Sequence, residues 1–321
     1  RECGGKWCLF LQIHSKKQRF LDKISGDELM RYFILIFFTL SILFADYGGG
    51  YAGSEFRFAS NARDLALAGA NICDGSGGYV QFSNPAQLPD LQGIDISSSF
   101  LSLSMDRSIQ TLSITKSLPP SAGIGLSLYR SGTSNIQGRD LMNQFTKDLD
   151  VSNYMGIISF GLAPSKKIAL GLNLKTYLIQ FVDDNSANGI GIDLGLRLKP
   201  INDLVFALKL ENMSAEMNWK VEVGDEQRQS VESFPLNLAV GCAYYFSKGT
   251  VHLSQDIMNS DGYEKFYRTR IASEVFFGPL AVQLGSYQNR GIFIGIDNNT
   301  LTAKIRGNQS DPFDTDVSSG D

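Results

Sequence analysis

A chain of 321 residues is long enough for one large domain or two small ones. Its net charge of -4 and pI of about 5.3 give no basic field for nucleic acid, and no run of Lys and Arg forms a phosphate track. Hydrophobic residues make up 43% while mean hydropathy is only -0.07, a balance that suits strands with one apolar and one wet face.

In chain order, residues 1–29 carry mixed charges without periodicity, and Met30 reads as the start, so 1–29 are expected to be a non-native upstream extension. Met30 and Arg31 form a short positive region, residues 32–44 are almost unbroken apolar sequence, and Ala45 precedes a polar, Gly-rich stretch. This is the pattern of an export signal cleaved near Ala45; the apolar run is well short of the roughly 20 residues that a membrane-crossing helix needs. Cys3, Cys8 and His14 precede that signal. Cys73 and Cys242 are expected to be unpaired, and no Cys/His spacing suggests zinc, so no metal or cofactor is expected.

Residues 46–92 are expected to form a compact plug containing a short helix. Ala66, Ala68, Gly69 and Ala70 allow close backbone approach, Asp74 opens a Gly-rich turn, and Asn84-Pro85-Ala86 fixes a bend before the first strand. The succession ARDLALAGA, DGSGG and FSNPAQL resembles the N-terminal signature of FadL/TodX-type outer-membrane proteins and their PorV/PorQ-type relatives, departing from it at Gln87, where those families mostly carry Gly. The resemblance implies a fourteen-stranded barrel, a plug built on Gly69, Asp74, Asn84, Pro85 and Ala86, and one of two roles. The first is ligand-gated uptake of hydrophobic solutes such as long-chain fatty acids. The second, PorV/PorQ-type, is a component or shuttle that binds secreted proteins in type IX secretion.

From residue 93 onward apolar residues alternate at period two, most clearly in GIGIDLGLRL at 189–198. Strands of about ten residues and strict turn-taking of short and long connections favour an all-β, transmembrane, antiparallel up-and-down β-barrel over a soluble sandwich. About thirteen strands are expected between residues 93 and 306, the last at 300–306. A fourteenth is missing, and 307–321 reads as a disordered acidic tail. The glycines of 189–195 fall at every second position with no helix after them, which argues for a crowded interior rather than a dinucleotide site.

Alternation puts Asp193, Arg197, Lys209, Glu211, Asp256, Arg268, Arg270, Glu274 and Lys304 on the inner face, since a charge facing lipid would cost about 2–4 kcal/mol at mid-bilayer. They read either as an ion-pair network holding the plug or as a solute-selecting ring. His252 lies on the same face beside Ser254 and Asp256 and is expected to line the lumen. With no nucleophile elbow the chain is not expected to be an enzyme. The stretch 216–235, with Trp219, is expected to be an external loop serving as a gate, a docking surface or merely solvated chain. Outer-membrane lipid is the expected surrounding, and solute or secreted protein the expected partner.

Overall fold

The computed structural model describes residues 52–75, 77–140, 142–181, 185–223, 226–259, 265–287 and 292–298. The expected upstream extension, export signal and acidic tail, with Ser76, the strand at 300–306 and Lys304, lie outside the described residues. Among them no helix is long and apolar enough to cross a membrane, which says nothing of crossing by strands.

Among the described residues thirteen strands form one antiparallel sheet: β1 (Ile94–Leu103), β2 (Arg107–Leu118), β3 (Ala122–Arg139), β4 (Phe145–Ser165), β5 (Ile168–Gln180), β6 (Ser186–Ile201) and β7 (Leu204–Val223). Then follow β8 (Glu226–Ser233), β9 (Leu236–Phe246), β10 (Gly249–Asn259), β11 (Phe266–Phe277), β12 (Leu280–Tyr287) and β13 (Ile292–Asn298). Neighbours in sequence are neighbours in the sheet, except that β8 pairs only with the far part of β7 while β9 pairs with its near part. The wall therefore contains β1–β7 and β9–β13.

Register follows from the alternation. Ile96, Ile114, Leu126, Ile158, Leu174 and Ile192 are direct partners across six successive strands, one oily row on the outer face. One residue along, Ser159, Asn173 and Asp193 form the matching inner row. A slip of one residue would exchange the two rows, so the pattern fixes the pairing. Exposure shows the same division: Ile96 and Ile190 are 69% and 72% exposed, while Asp193, His252 and Asp256 are 0% exposed. In water such a contiguous apolar band would be an aggregation surface; against hydrocarbon it is the favourable face.

Three expectations about the connections need correction. The stretch 216–235 is largely a β-hairpin made by the end of β7 with β8, in which Asn218 pairs with Val231, Trp219 with Ser230 and Val221 with Arg228. Likewise 131–151, one of the long connections in the expected turn-taking, is mostly strand among the described residues, with β3 and β4 running 18 and 21 residues. The turn-taking is not strict either: residues 104–106 join β1 to β2 tightly on the side expected to carry long connections, with Met105 and Asp106 at φ 64 and 52 as a hairpin turn requires.

Residues 52–92 fill the inner face. Within them are two short helices, α1 (Ala62–Ala66) and α2 (Val80–Ser83), and four 3-10 turns. The segment touches β1 and β2 through Gly77–Tyr79, β2–β6 through Pro85–Asp90, β7, β9 and β10 through Asn71–Cys73, and β12 and β13 through α1. Strands at both ends of the sheet thus pack on one segment, so the sheet curls around it. No ladder joins β1 to β13 among the described residues.

Candidate functional site: the plugged lumen

The plug holds its shape through local hydrogen bonds. Asn61 Oδ1 accepts from Asp64 N at 2.9 Å while Asp64 Oδ2 accepts from Ser60 N at 2.9 Å, a reciprocal cap that starts α1. The helix stops where Ala68 and Gly69 turn to φ 52 and 71, with Gly69 N donating to Asp64 O at 2.9 Å. Freed by that turn, Gly69 O accepts from Arg270 Nη1 at 3.1 Å.

Asn84, Pro85 and Ala86 are fully or almost fully buried and sit at the wall. Asn84 Oδ1 accepts from Ala86 N at 3.0 Å, capping the turn Pro85–Asp90, while its Nδ2 donates to Leu196 O on β6 and Leu208 O on β7 at 3.3 and 3.4 Å. The wall yields to them with glycine. A Cβ on Gly171 would collide with the Pro85 and Ala86 backbone, and one on Gly161 would come within 2.8 Å of Pro85 O. Replacing Asn84 with Ala removes a cap and two wall contacts; urea unfolding in detergent micelles is expected to show a loss of about 1–2 kcal/mol.

Gln87, the departure from the resembled signature, is buried and useful. Its Nε2 donates to Ile72 O at 2.7 Å and its Oε1 accepts from Gly75 N, so it ties the Asp74 turn to the last turn of the plug. Glycine there could make neither bond.

The inner polar residues form a belt around the plug. Gln81, fully buried, donates to Ser113 Oγ at 2.8 Å and accepts from Ser159 Oγ at 3.0 Å, and its carbonyl accepts from Asn173 Nδ2 at 3.0 Å. Asp193 takes Lys175 Nζ at 2.7 Å, Lys209 Nζ at 3.9 Å and Asn173 Nδ2 at 3.0 Å. A bulge between β6 and β7, with Asn212 at φ 61, turns the Asn212 N–H onto Asp193 Oδ1 at 3.1 Å. Lys209 Nζ also reaches Glu211 at 2.6 Å and donates to Phe82 O at 2.7 Å, and Arg197 Nη2 donates to Asp90 of the plug at 2.7 Å.

On the opposite wall Asp256 pairs with Arg268 at 2.8 Å and Arg270 at 2.6 Å, and Arg63 of α1 grips Glu274 through Nε and Nη2 at 3.1 and 2.7 Å. Arg63 also reaches Asp74 Oδ2 at 3.4 Å. Burial alone would lower the Arg63 pKa, but Asp74 and Glu274 more than reverse this and hold it raised. His252 sits beside this pair with neither ring nitrogen partnered among the described residues. Cys73 and Cys242 are free, and burial, with Cys242 and Asp74 nearby, pushes the Cys73 thiol well up, so it stays protonated and inert.

All the described charges singled out from the sequence therefore meet on the face that holds the plug. Sequence reasoning left out Arg63 and Gln81, which present no pattern until the fold brings the wall to them, and noted Gln87 only as a departure from the resembled signature. It also missed the aromatic cluster toward the β3–β4 end of the lumen. There Phe56 packs on Tyr177 and Tyr129 with ring centroids 5.1 and 6.3 Å apart, Tyr177 stacks on Phe234 at 4.6 Å, and Phe82 lies 6.2 Å from Tyr129. These rings, with Met155 and Ile157, line a cavity of about 240 Å³ that is lined also by Lys175, Lys209, Arg268 and Arg270 and by the carboxylates of Asp64, Glu211 and Asp256. A second cavity of about 220 Å³, lined by Ile179, Phe181, Met217 and Trp219, shares Gly53 with the first.

An up-and-down antiparallel sheet with an apolar outside, a polar inside and a plug threaded through it defines a membrane-type β-barrel. Among solved structures the chain is similar to the toluene transporter TodX of Pseudomonas putida. Two crystal structures of that protein give a TM-score of 0.50 at 14% identity, covering 71% and 72% of this chain and 83% and 84% of that one. A TodX deltaS2S3 mutant, described as a monoaromatic hydrocarbon channel, gives 0.48 at 13% identity over 76% of this chain and 85% of that one. At such identity the likeness is one of fold, and in fold the FadL/TodX-type resemblance holds. No protein-family model matches the sequence, and no curated protein matches it.

Proposed function

We propose that this protein is a plugged channel of a bacterial outer membrane, exported through its N-terminal signal, that admits small hydrophobic solutes without any chemical step. The observation that carries this reading is the ring-walled cavity of about 240 Å³ between the plug and the wall, lined from β3, β4, β5 and β7 on one side and from β9–β12 on the other. A dry cavity of about 150 Å³ is enough to take up benzene, so this one has room for a single aromatic ring or a folded stretch of alkyl chain. The second cavity, which shares Gly53 with the first and is lined by Met217, Trp219 and Glu232 of the β7–β8 hairpin, supplies an approach from that side. TodX, whose fold this chain resembles, is a toluene transporter, which supports the same reading.

Filling the cavity is the test. Met155→Trp is expected to abolish most of the uptake of radiolabelled toluene and oleate by cells that depend on this protein, while the folded amount in the membrane is unchanged. A PorV/PorQ-type secretion role would instead place the work on the β3–β4 and β7–β8 hairpins. Unaltered uptake on deleting the protein, with secreted proteins co-purifying with it, would decide for that role.

A further inference from the structure

We propose that Asp74 of the plug, His252 of β10 and Glu274 of β11 form a binding site for one divalent transition-metal ion of the zinc class, which ties the plug to the wall. One ligand atom from each residue lies within 4.8 Å of the other two. A tetrahedral zinc ion with bonds near 2.1 Å sets its ligand atoms about 3.4 Å apart, so small rotations of the two carboxylate side chains close the set. The observation that points to a ligand is His252. Its side chain is 0% exposed, and neither Nδ1 nor Nε2 has a partner among the described residues. A buried imidazole that wastes both nitrogens carries a desolvation penalty, and a metal bond would remove it.

Arg63 is the obvious competitor, yet it leaves room. It donates to Glu274 Oε1 and Oε2 and to Asp74 Oδ2, and Gln283 Nε2 donates to Glu274 Oε1 at 2.8 Å. Three of the roughly four acceptor positions of Glu274 are then used, one on Oε2 stays open, and no described group donates to Asp74 Oδ1. Two carboxylates against one guanidinium also leave the cluster one negative charge beside a neutral imidazole. One nitrogen and two oxygen ligands favour a transition ion over calcium or magnesium, which prefer all-oxygen shells. The site does not depend on whether solute passes the plug.

The test uses the full-length chain folded in detergent, stripped with chelator and titrated calorimetrically with zinc chloride. One equivalent is expected to bind, uncontested by millimolar magnesium, and cobalt at the same site should give the intense visible absorption of a tetrahedral ion. His252→Ala and Asp74→Asn should each weaken binding at least about tenfold. The Asp74 variant alters only the plug, which keeps the test valid if a wall variant misfolds, and the heat-dependent shift in gel mobility checks folding. Zinc should also slow proteolysis of residues 71–79 in the unaltered protein and not in Asp74→Asn. Absence of saturable binding, displacement by magnesium, or equal binding by a folded His252→Ala protein would each overturn the proposal.

Discussion

Asp193→Ala is expected to lower the unfolding free energy by about 3–5 kcal/mol, the cost of stranding a buried charge without its partner. Asp193 is fully buried and holds Lys175 at 2.7 Å, Lys209 at 3.9 Å, Asn173 and the N–H of the Asn212 bulge. Alanine leaves the Lys175 ammonium without its close carboxylate and the bulge N–H without its acceptor. Asp193→Asn, which keeps an oxygen for Asn212, should cost less, and Asp193→Leu combined with Lys175→Met should recover much of the loss. Urea unfolding in detergent, followed by the fluorescence of Trp219, measures each. A folded Asp193→Ala protein within about 0.5 kcal/mol of the original would show that the inner charges are wet and independent rather than a network.

The second large effect is expected at Gly171. A Cβ there would overlap the carbonyl carbon of Pro85 and the amide nitrogen of Ala86, backbone atoms that cannot rotate away. Overpacking of this sort costs about 1–3 kcal/mol when the surroundings are fixed. The plug is the part able to move, so Gly171→Val should drive Pro85–Asp90 off the wall and convert a closed protein into one with stepwise openings in planar bilayers. Gly156→Ala is the control, because its Cβ would meet only the Thr176 methyl, at 3.1 Å. Silent Gly171→Val bilayers containing folded protein would mean that the plug does not close the lumen.

Much of this architecture could be read from the chain because a strand with lipid on one side and polar groups on the other writes its orientation into every second residue. Asp193, Arg197 and Lys209 could be assigned to the inner face from their neighbours alone. The glycines of 189–195 were legible as a crowded interior, and Gly195 does lie against Asn84 and Pro85. Strand ends were not legible. Outside the hydrocarbon layer alternation is no longer enforced, so the polar continuation of β3, β4 and β7 reads like loop although it keeps its ladder. The aromatic cavity was hidden for a different reason. Phe56, Tyr129, Tyr177 and Phe234 come from the plug, two wall strands and the approach to β9, and no spacing in sequence relates them. Asp74, His252 and Glu274 are scattered in the same way, which is why metal-ligand spacing gave no signal.

The claim on which all else depends is that the outer row faces lipid and the inner row faces the plug. Nitroxide labels placed singly at Leu126, Ile158 and Ile192, and at Ser159 on the inner face, in protein reconstituted into vesicles, test it directly. The outer three are expected to collide readily with dissolved oxygen and to be shielded from a water-soluble nickel chelate, while the label at Ser159 is shielded from both by the packed plug. Free access of the nickel chelate to Ile158 and Ile192 would contradict a membrane barrel outright.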